Sequence, residues 1–600
     1  MLKEILREYV NKKVEQMYRD SYDEKTGLLY DYNKGVNYHT AVEEGVVHRT
    51  RENLSWIPAL ISWNREVGIP AAVRAVPEVL KLQDRDPDSP TYGIWPYLFE
   101  EPLAEMKNPD WNWAPFLGGS LITILHECGN LLPGELQENM KEALKCACES
   151  ILRRKMGADY TNIVLMSGFV LTAGGELLEN KEFIENGLKV LRQQLEFVRQ
   201  NGGFAEYNSP TYGMIDIEET GRILYYAKNE EALRLARRLH GYAWKVFAEH
   251  YHAPTGQIAP PHARCYDDIQ GTDIHTLITV GTKGRCKLVG AEEWDVNLMW
   301  PYMELDCPAE YEKYFAAPEY PRIQEEDFYR GFDPIRDDQI RVLIEKGTPK
   351  LHSCTYLHPD YCLGTFAWHD MWNQRRPLMA FVRTEEGTAC FRARCMHDAM
   401  DFAGALMQNV QHENAAAGGV SFVTDHGDYH YILTPLEDGA MEAERLSLDF
   451  TVTGAPDRTA VKELGKGGYL FTVGGCEIEL HILKACFGDG PVQAELIDTA
   501  ECKGVRLNLY QGERTRIDFH EIGKAYILYG VEIRRIGEKK KSVYRISEEE
   551  TGVSLETSDG FSGQIQIDPV PGKFISGNEN RKKKFRNGGF YYETLFKDLY

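Results

Sequence analysis

The chain has 600 residues, 43% hydrophobic and 26% charged, the composition of a globular protein too long for one ordinary core. Its formal net charge of −23 and pI near 5.3 exclude nucleic acid as a main partner, because phosphate neutralisation needs clustered Lys and Arg. An anionic substrate stays open, since a local basic pocket can oppose the overall field.

In chain order, residues 1–20 read as an amphipathic helix with charges every few residues. It has no apolar h-region, so no secretory signal is expected. No later run approaches the roughly 20 apolar residues of a membrane span, so no membrane partner is expected either. The thirteen cysteines are scattered, which predicts reduced thiols in a cytosol. Cys146 and Cys148 form C-A-C and no CxxC pair exists, so no structural metal site is expected.

Helical periodicity then repeats through the first half. It covers 52–68, which ends at Gly68, and 71–84, where Pro77 predicts a kink or a late start. Further helices are expected over 112–132, 133–154, 160–179, 180–200 and 230–251. The runs FLGGSLITIL and IVLMSGFVLTAGG are apolar nearly all round, which predicts an inner layer wrapped by amphipathic helices. Serial hairpins of this kind suggest an α/α toroid.

From about 305 to 350, prolines and acidic residues break the pattern. Beyond 350 the period becomes two, in short β-branched and aromatic runs separated by Gly, Asp and Asn. The expected organisation is an α/α toroid over 1–330, a linker over 331–350 and a large antiparallel β-sandwich over 351–600. The basic stretch NENRKKKFRNGG reads as a solvated end, and a homo-oligomer is possible.

Polar and aromatic residues gather at particular helix connectors. Residues 36–54 hold His39, His48, Arg49, Arg51 and Glu52, with Thr50 as the expected N-cap. Residues 92–116 hold Trp95, Trp111 and Trp113 beside Glu100, Glu101 and Asp110. Such rings take a pyranose C–H face while polar groups take its hydroxyls, although they also pack helix ends. Asn162 opens a long apolar helix, as its cap or facing a cleft, with Thr161 as the other possible cap.

The stretch GGFAEYNSPTYGMI (202–215) carries the densest signal. Gly202 and Gly203 end one helix, and Asn208-Ser209-Pro210 forms a turn. Tyr212 then stands at the start of the next segment, near Glu206 and Asn208. In 255–276, His262, Arg264 and Tyr266 alternate, so an extended backbone would present them on one side. In 361–381, Trp368, His369, Trp372, Asn373, Gln374 and Arg375 lie between two strands. They either reach over the toroid mouth or make an interdomain contact.

A toroid followed by a sandwich, with Asn162, the E-x-x-S-P-x-Y connector Glu206–Tyr212 and the His262/Arg264 segment, resembles the uronate-polysaccharide lyases. These are the heparinase II/III-like, chondroitin/hyaluronan and oligoalginate lyase families. Here Ile163 follows Asn162, so there is no Asn-His pair. The resemblance implies β-elimination of a uronate-containing glycoside without a cofactor. Asn162 with His262 or Arg264 would neutralise the substrate carboxylate, and Tyr212 would move the proton, its pKa lowered by a neighbouring cation. Glu206 would anchor Arg264 or bind a hydroxyl. Asn208, His48, Arg51, Trp95, Trp111, Trp113, Tyr266, His369 and Trp372 would complete the substrate site. A cytosolic location implies short oligosaccharides and an exo-type pocket. Two alternatives remain: an inverting hydrolase using two of Glu100, Glu101, Asp110, Glu206, Asp216 and Asp268, and a non-catalytic carbohydrate-binding protein.

Overall fold

The computed structural model describes residues 2–34, 39–329, 351–431 and 434–573. The expected linker and the basic tail lie outside them. The first part is helical: α1 (Leu2–Ser21), α2 (Thr50–Ser55), α3 (Ile57–Trp63), α4 (Arg65–Lys81), α5 (Trp113–Glu127) and α6 (Gly134–Arg154). After these come α7 (Thr161–Leu177), α8 (Lys181–Asn201), α9 (Pro210–Tyr226), α10 (Glu230–His250) and α11 (Thr272–Gly281).

Two layers follow from the apolar patterning. Helices α2, α5, α7, α9 and α11 touch in succession as an inner row, and α4, α6, α8 and α10 back them from outside. Every residue of α7 from Thr161 to Gly175 is buried, as a helix apolar on all sides requires. The helix expected over 52–68 is instead divided into α2, α3 and the start of α4. The side chain of Asn64 accepts the backbone N–H groups of Glu66 and Val67 and starts α4 there. Gly68 is therefore inside α4, which continues through Pro70 and Pro77 to Lys81. A Cβ at Gly68 would lie 2.7 Å from Ile61 Cα, so the glycine permits α3 and α4 to cross closely.

The second part is an antiparallel sandwich. The larger, 9-stranded sheet runs Gln493–Asp498, Cys502–Asp518, Ala440–Thr453, Gly387–His397, Leu378–Thr384, Tyr361–Phe366, Leu351–Leu357, Arg322–Tyr329, with Met400–Asp401 also on Gly387–His397. The 7-stranded sheet runs Trp368–Asp370, Ala405–His412, Ala415–Phe422, Ala525–Arg535, Cys476–Phe487, Gly468–Val473, Ala460–Gly465. Their inner faces share one core, including Phe391, Phe450, Phe471 and Tyr529. The sandwich begins earlier than expected, because Arg322–Tyr329 pairs with Leu351–Leu357. Its acidic sequence reads as a connector but suits an edge strand, where charge discourages further pairing.

The halves meet through specific contacts. A Cβ at Gly364 would fall 1.9 Å from the Pro260 carbonyl oxygen, so only glycine admits the toroid loop there. Tyr207 donates to Glu326 (2.7 Å) and accepts from Ser353 (3.0 Å). Asp268 accepts from Arg376 (2.7 Å) and Arg392 (2.8 Å), so one toroid carboxylate binds two sandwich cations.

Candidate functional site

The site is built around the N-terminal ends of α7 and α9. Ser209 caps α9 by accepting the Tyr212 N–H, and Pro210 occupies the first turn, as the Asn-Ser-Pro motif predicts. Asn208 sits at φ +47°, a left-handed conformation that Asn tolerates. These features fix Tyr212 in the first turn of α9.

Glu206 joins the site's elements. Its Oε2 accepts the backbone N–H of Asn162 (2.9 Å) and its side-chain Nδ2 (2.6 Å). A carboxylate thus stands at the positive end of α7 and satisfies an otherwise unbonded N–H. Asn162 is accordingly not the cap: Tyr160 occupies that position and Thr161 begins the helix. Glu206 Oε1 accepts from Arg264 Nη1 at 2.9 Å.

Arg264 also bonds to both domains. Nη2 donates to the Tyr212 hydroxyl (2.8 Å) and Nε donates to Gln374 Oε1 (2.8 Å) from the sandwich. The guanidinium also lies 5.1 Å from the Trp372 ring centroid, a cation–π distance. Burial opposes its charge, but Tyr212 and Glu206 hold it cationic, with its pKa raised well above the ordinary value.

The Tyr212 hydroxyl is 2.7 Å from that of Tyr266, which is 51% exposed and so connects the buried phenol to solvent. Burial pushes the Tyr212 pKa well above 10, outweighing the lowering by Arg264. This corrects the expectation that a neighbouring cation brings the phenol into working range.

Of the alternating trio, Arg264 and Tyr266 reach this cluster and His262 does not. His262 is fully buried, with Nδ1 2.6 Å from the Asn208 carbonyl. Burial pushes its pKa down to about 3, so it is a neutral prop beneath the turn. Asn208 is likewise structural: its Nδ2 donates to the carbonyls of Ala259 (2.7 Å) and Pro261 (2.9 Å).

Among the tryptophans, Trp95 is fully buried in the helical core and donates to the Val79 carbonyl, so it packs and does not face a cleft. Trp111 donates to the Pro90 carbonyl and packs against that core. Trp113 stacks on Tyr97 at 3.8 Å. Tyr97 donates to Asp110, packs 5.1 Å from His39 and interacts electrostatically with Tyr160 and Tyr266. Trp113 therefore backs the wall beside the phenols.

His48 is paired with Glu100, and Arg51 lies over the Phe116 ring; neither bonds to the Glu206 network. Thr50, expected as a cap, is the first residue of α2 and donates its hydroxyl to the Pro96 carbonyl.

The 361–381 segment does reach the toroid. Arg376 and His262 pair as a β-bridge, and the Gln374 carbonyl accepts the Cys265 N–H at 2.8 Å. Trp372 packs against His430 (4.9 Å) and Tyr431 (4.7 Å). His369 faces Asp370 at 3.6 Å and is 7% exposed, so it stays in the sandwich. Sequence reading missed His430 and Tyr431. Burial, then Arg264 and His39, pushes His430 down to about 3, so a neutral imidazole sits beside the site. The only textual hint was the run TDHGDYHY (424–431), rich in His and aromatics.

Among the described residues, one group has metal-ligand spacing: His412, Glu413 and Asp559. His412 is occupied by Asp559 at 2.9 Å and stacks on Phe561, away from the Glu206 network. A cavity of about 480 Å³ lies in the sandwich beside His352, Trp368 and Gln408, and none of the Asn162–Glu206–Tyr212–Arg264 group lines it. Among the described residues no helix is long and apolar enough to cross a membrane.

Residues 12–305 match a family model described as a domain of unknown function, DUF8769. No curated protein matches. The fold is similar to toroid polysaccharide lyases. One is heparinase III, at 10% identity and TM-score 0.42, covering 86% of this chain and 82% of that one. Another is the Streptomyces coelicolor A3 chondroitin AC lyase in complex with chondroitin sulphate, at 9% identity and TM-score 0.45, covering 94% and 85%. A third is the chondroitin lyase ODV-E66, a baculovirus envelope protein, at 10% identity and TM-score 0.31, covering 94% and 89%.

Proposed function

We propose that the protein cleaves uronate-containing oligosaccharides by β-elimination at the Asn162–Glu206–Arg264–Tyr212 cluster. The observation that carries this reading is the buried Tyr212 hydroxyl, held 2.8 Å from Arg264 and 2.7 Å from Tyr266. A phenol so placed can lose its proton through Tyr266 to water, while Arg264 stabilises the phenolate.

Arg264 and the second N–H of Asn162 Nδ2 would receive the substrate carboxylate. Their positive charge and dipole stabilise the enolate that forms as Tyr212 removes the α-proton. The electron pair of the broken C–H bond forms the new C=C bond, and the C–O bond to the leaving sugar breaks. The same phenol returns its proton to the departing oxygen. Glu206 acts by holding Arg264 and Asn162 in register and does not touch the substrate.

Five of the six carboxylates that a hydrolase would draw on are bonded elsewhere. Glu206 binds Arg264 and Asn162, Asp268 binds two arginines, and Asp110 accepts from Tyr97. Glu100 pairs with His48, Glu101 accepts the Ala41 N–H, and Asp216 is buried. This favours elimination over inverting hydrolysis. The reading includes short oligosaccharides met in the cytosol; recovery of the protein outside cells would remove that part.

The test is incubation with a panel of uronate oligosaccharides, followed by ultraviolet absorbance and mass. Elimination gives an unsaturated, absorbing product with no added water. A product heavier by one water with no new absorbance would overturn the proposal in favour of hydrolysis, and binding without turnover would favour a carbohydrate-binding protein.

A further inference from the structure

Beneath the Glu206 turn lies a cavity of about 20 Å³, lined by Phe204, Glu206, Asn208, Ser209, Asp216 and Phe247 among others. Two side-chain oxygens of these lining residues, Asn208 Oδ1 and Asp216 Oδ1, are buried and have no hydrogen-bond partner among the described residues. Asn208 and Asp216 are 4% and 2% exposed.

We propose that this cavity holds one structural water, bonded to Asn208 Oδ1 and Asp216 Oδ1, and that Asp216 acts through it as a positioning residue for the Glu206–Asn208 turn. The volume is enough for about one water and no more. The orientation of the Asn208 amide is fixed, because its Nδ2 already donates to two carbonyls. Its Oδ1 therefore needs a donor from another direction. A water has two O–H groups, one for each unpartnered oxygen. The Ser209 hydroxyl, whose oxygen accepts the Tyr212 N–H, can donate to the water and complete a third bond. Leaving both acceptors dry would cost far more than immobilising one water.

The same water explains a carboxyl buried in the helical core with no ion pair among the described residues. Asp216 lies one turn beyond Tyr212 on α9, near Glu206 and Glu219. Burial, then those two carboxylates, pushes its pKa well above the usual range, so it is neutral there. A neutral acid beside Glu206 keeps the turn polar without repelling the carboxylate that holds Arg264 and Asn162. The positioning role rests on the proposed elimination at Tyr212; the water itself does not.

A crystal structure of the full chain at better than about 2 Å tests the water directly. A single density peak within about 3.2 Å of both oxygens is expected. No peak, or a cation with several oxygens at about 2.4 Å, would overturn the proposal. Asp216→Asn, which keeps an oxygen for the water, should retain the peak and turnover within about threefold. Asp216→Leu should fill the cavity, abolish the peak and lower kcat at least about tenfold with little change in KM. Loss of the peak without loss of turnover would refute the positioning role. If Asp216→Leu does not fold, the Asp216→Asn result and the wild-type density still decide. If the wild-type protein cleaves no uronate substrate, the elimination reading fails while the density still settles the water.

Discussion

At the scale of the residue, the proposed elimination rests on the Tyr212 hydroxyl and on Arg264, which donates to it. Tyr212→Phe removes only the hydroxyl, so turnover should fall by about 10²- to 10⁴-fold with an unchanged circular dichroism spectrum. Burial raises the Tyr212 pKa and a base must be deprotonated, so the rate should climb as pH rises through the alkaline range. A pH–rate profile checks the sign; a rate falling from neutral to alkaline pH would contradict a phenolate base. Arg264→Lys should move that limb to higher pH, because a point charge cannot replace bonds to Tyr212, Glu206 and Gln374 at once. The Tyr212 neighbourhood was legible because Asn-Ser-Pro-x-Tyr has one local reading, a capped helix start. The direction of a large ring was not. Trp95 and Trp113 sit in the same polar stretch, yet one seals the core and the other backs a wall, a choice made by distant helices. His262 was misjudged for the same reason: alternation along an extended segment says nothing of which carbonyl waits behind it.

At the scale of the element, the first turn of α7 bonds directly to Glu206, and the first turn of α9 reaches the same carboxylate through Arg264, which bonds to Tyr212. Ser209→Ala removes the α9 cap and should cost about 1 kcal/mol of stability, measured by urea unfolding, with a larger effect on turnover because Tyr212 loses its anchor. Apolar saturation marks α7 as an inner helix in the sequence alone, and the change of period marks the sandwich. Two boundaries were not readable. Asn64 restarts the chain as a helix in the middle of a continuous periodic run, since its cap competes with the helix that the apolar spacing supports. The strand Arg322–Tyr329 is written in acidic residues because it lies at a sheet edge, where charge is tolerated and a connector looks the same. His430 and Tyr431 were hidden by distance: they pack on Trp372, over which Arg264 also lies, although Arg264 stands more than a hundred and sixty positions away in sequence.

At the scale of the whole molecule, the site is shared between two domains. Asp268 fastens them through Arg376 and Arg392. Burial would raise its pKa, but the two guanidinium groups outweigh that and hold it down to about 2. The contribution of this carboxylate is therefore complete above its unfolded pKa of about 4 and fades as pH falls toward about 2. Asp268→Asn should lower the melting temperature at neutral pH and flatten its decline in that acid window, as followed by differential scanning calorimetry. An unchanged acid profile would show that the fastening lies elsewhere. Arg264 adds a second consequence. One guanidinium is gripped by Tyr212 and Glu206 from one domain and by Gln374 and Trp372 from the other, so occupancy and docking are thermodynamically reciprocal. An anion that settles on Arg264 should make the halves harder to separate, and a mutation that loosens the seam should weaken the anion by the same factor.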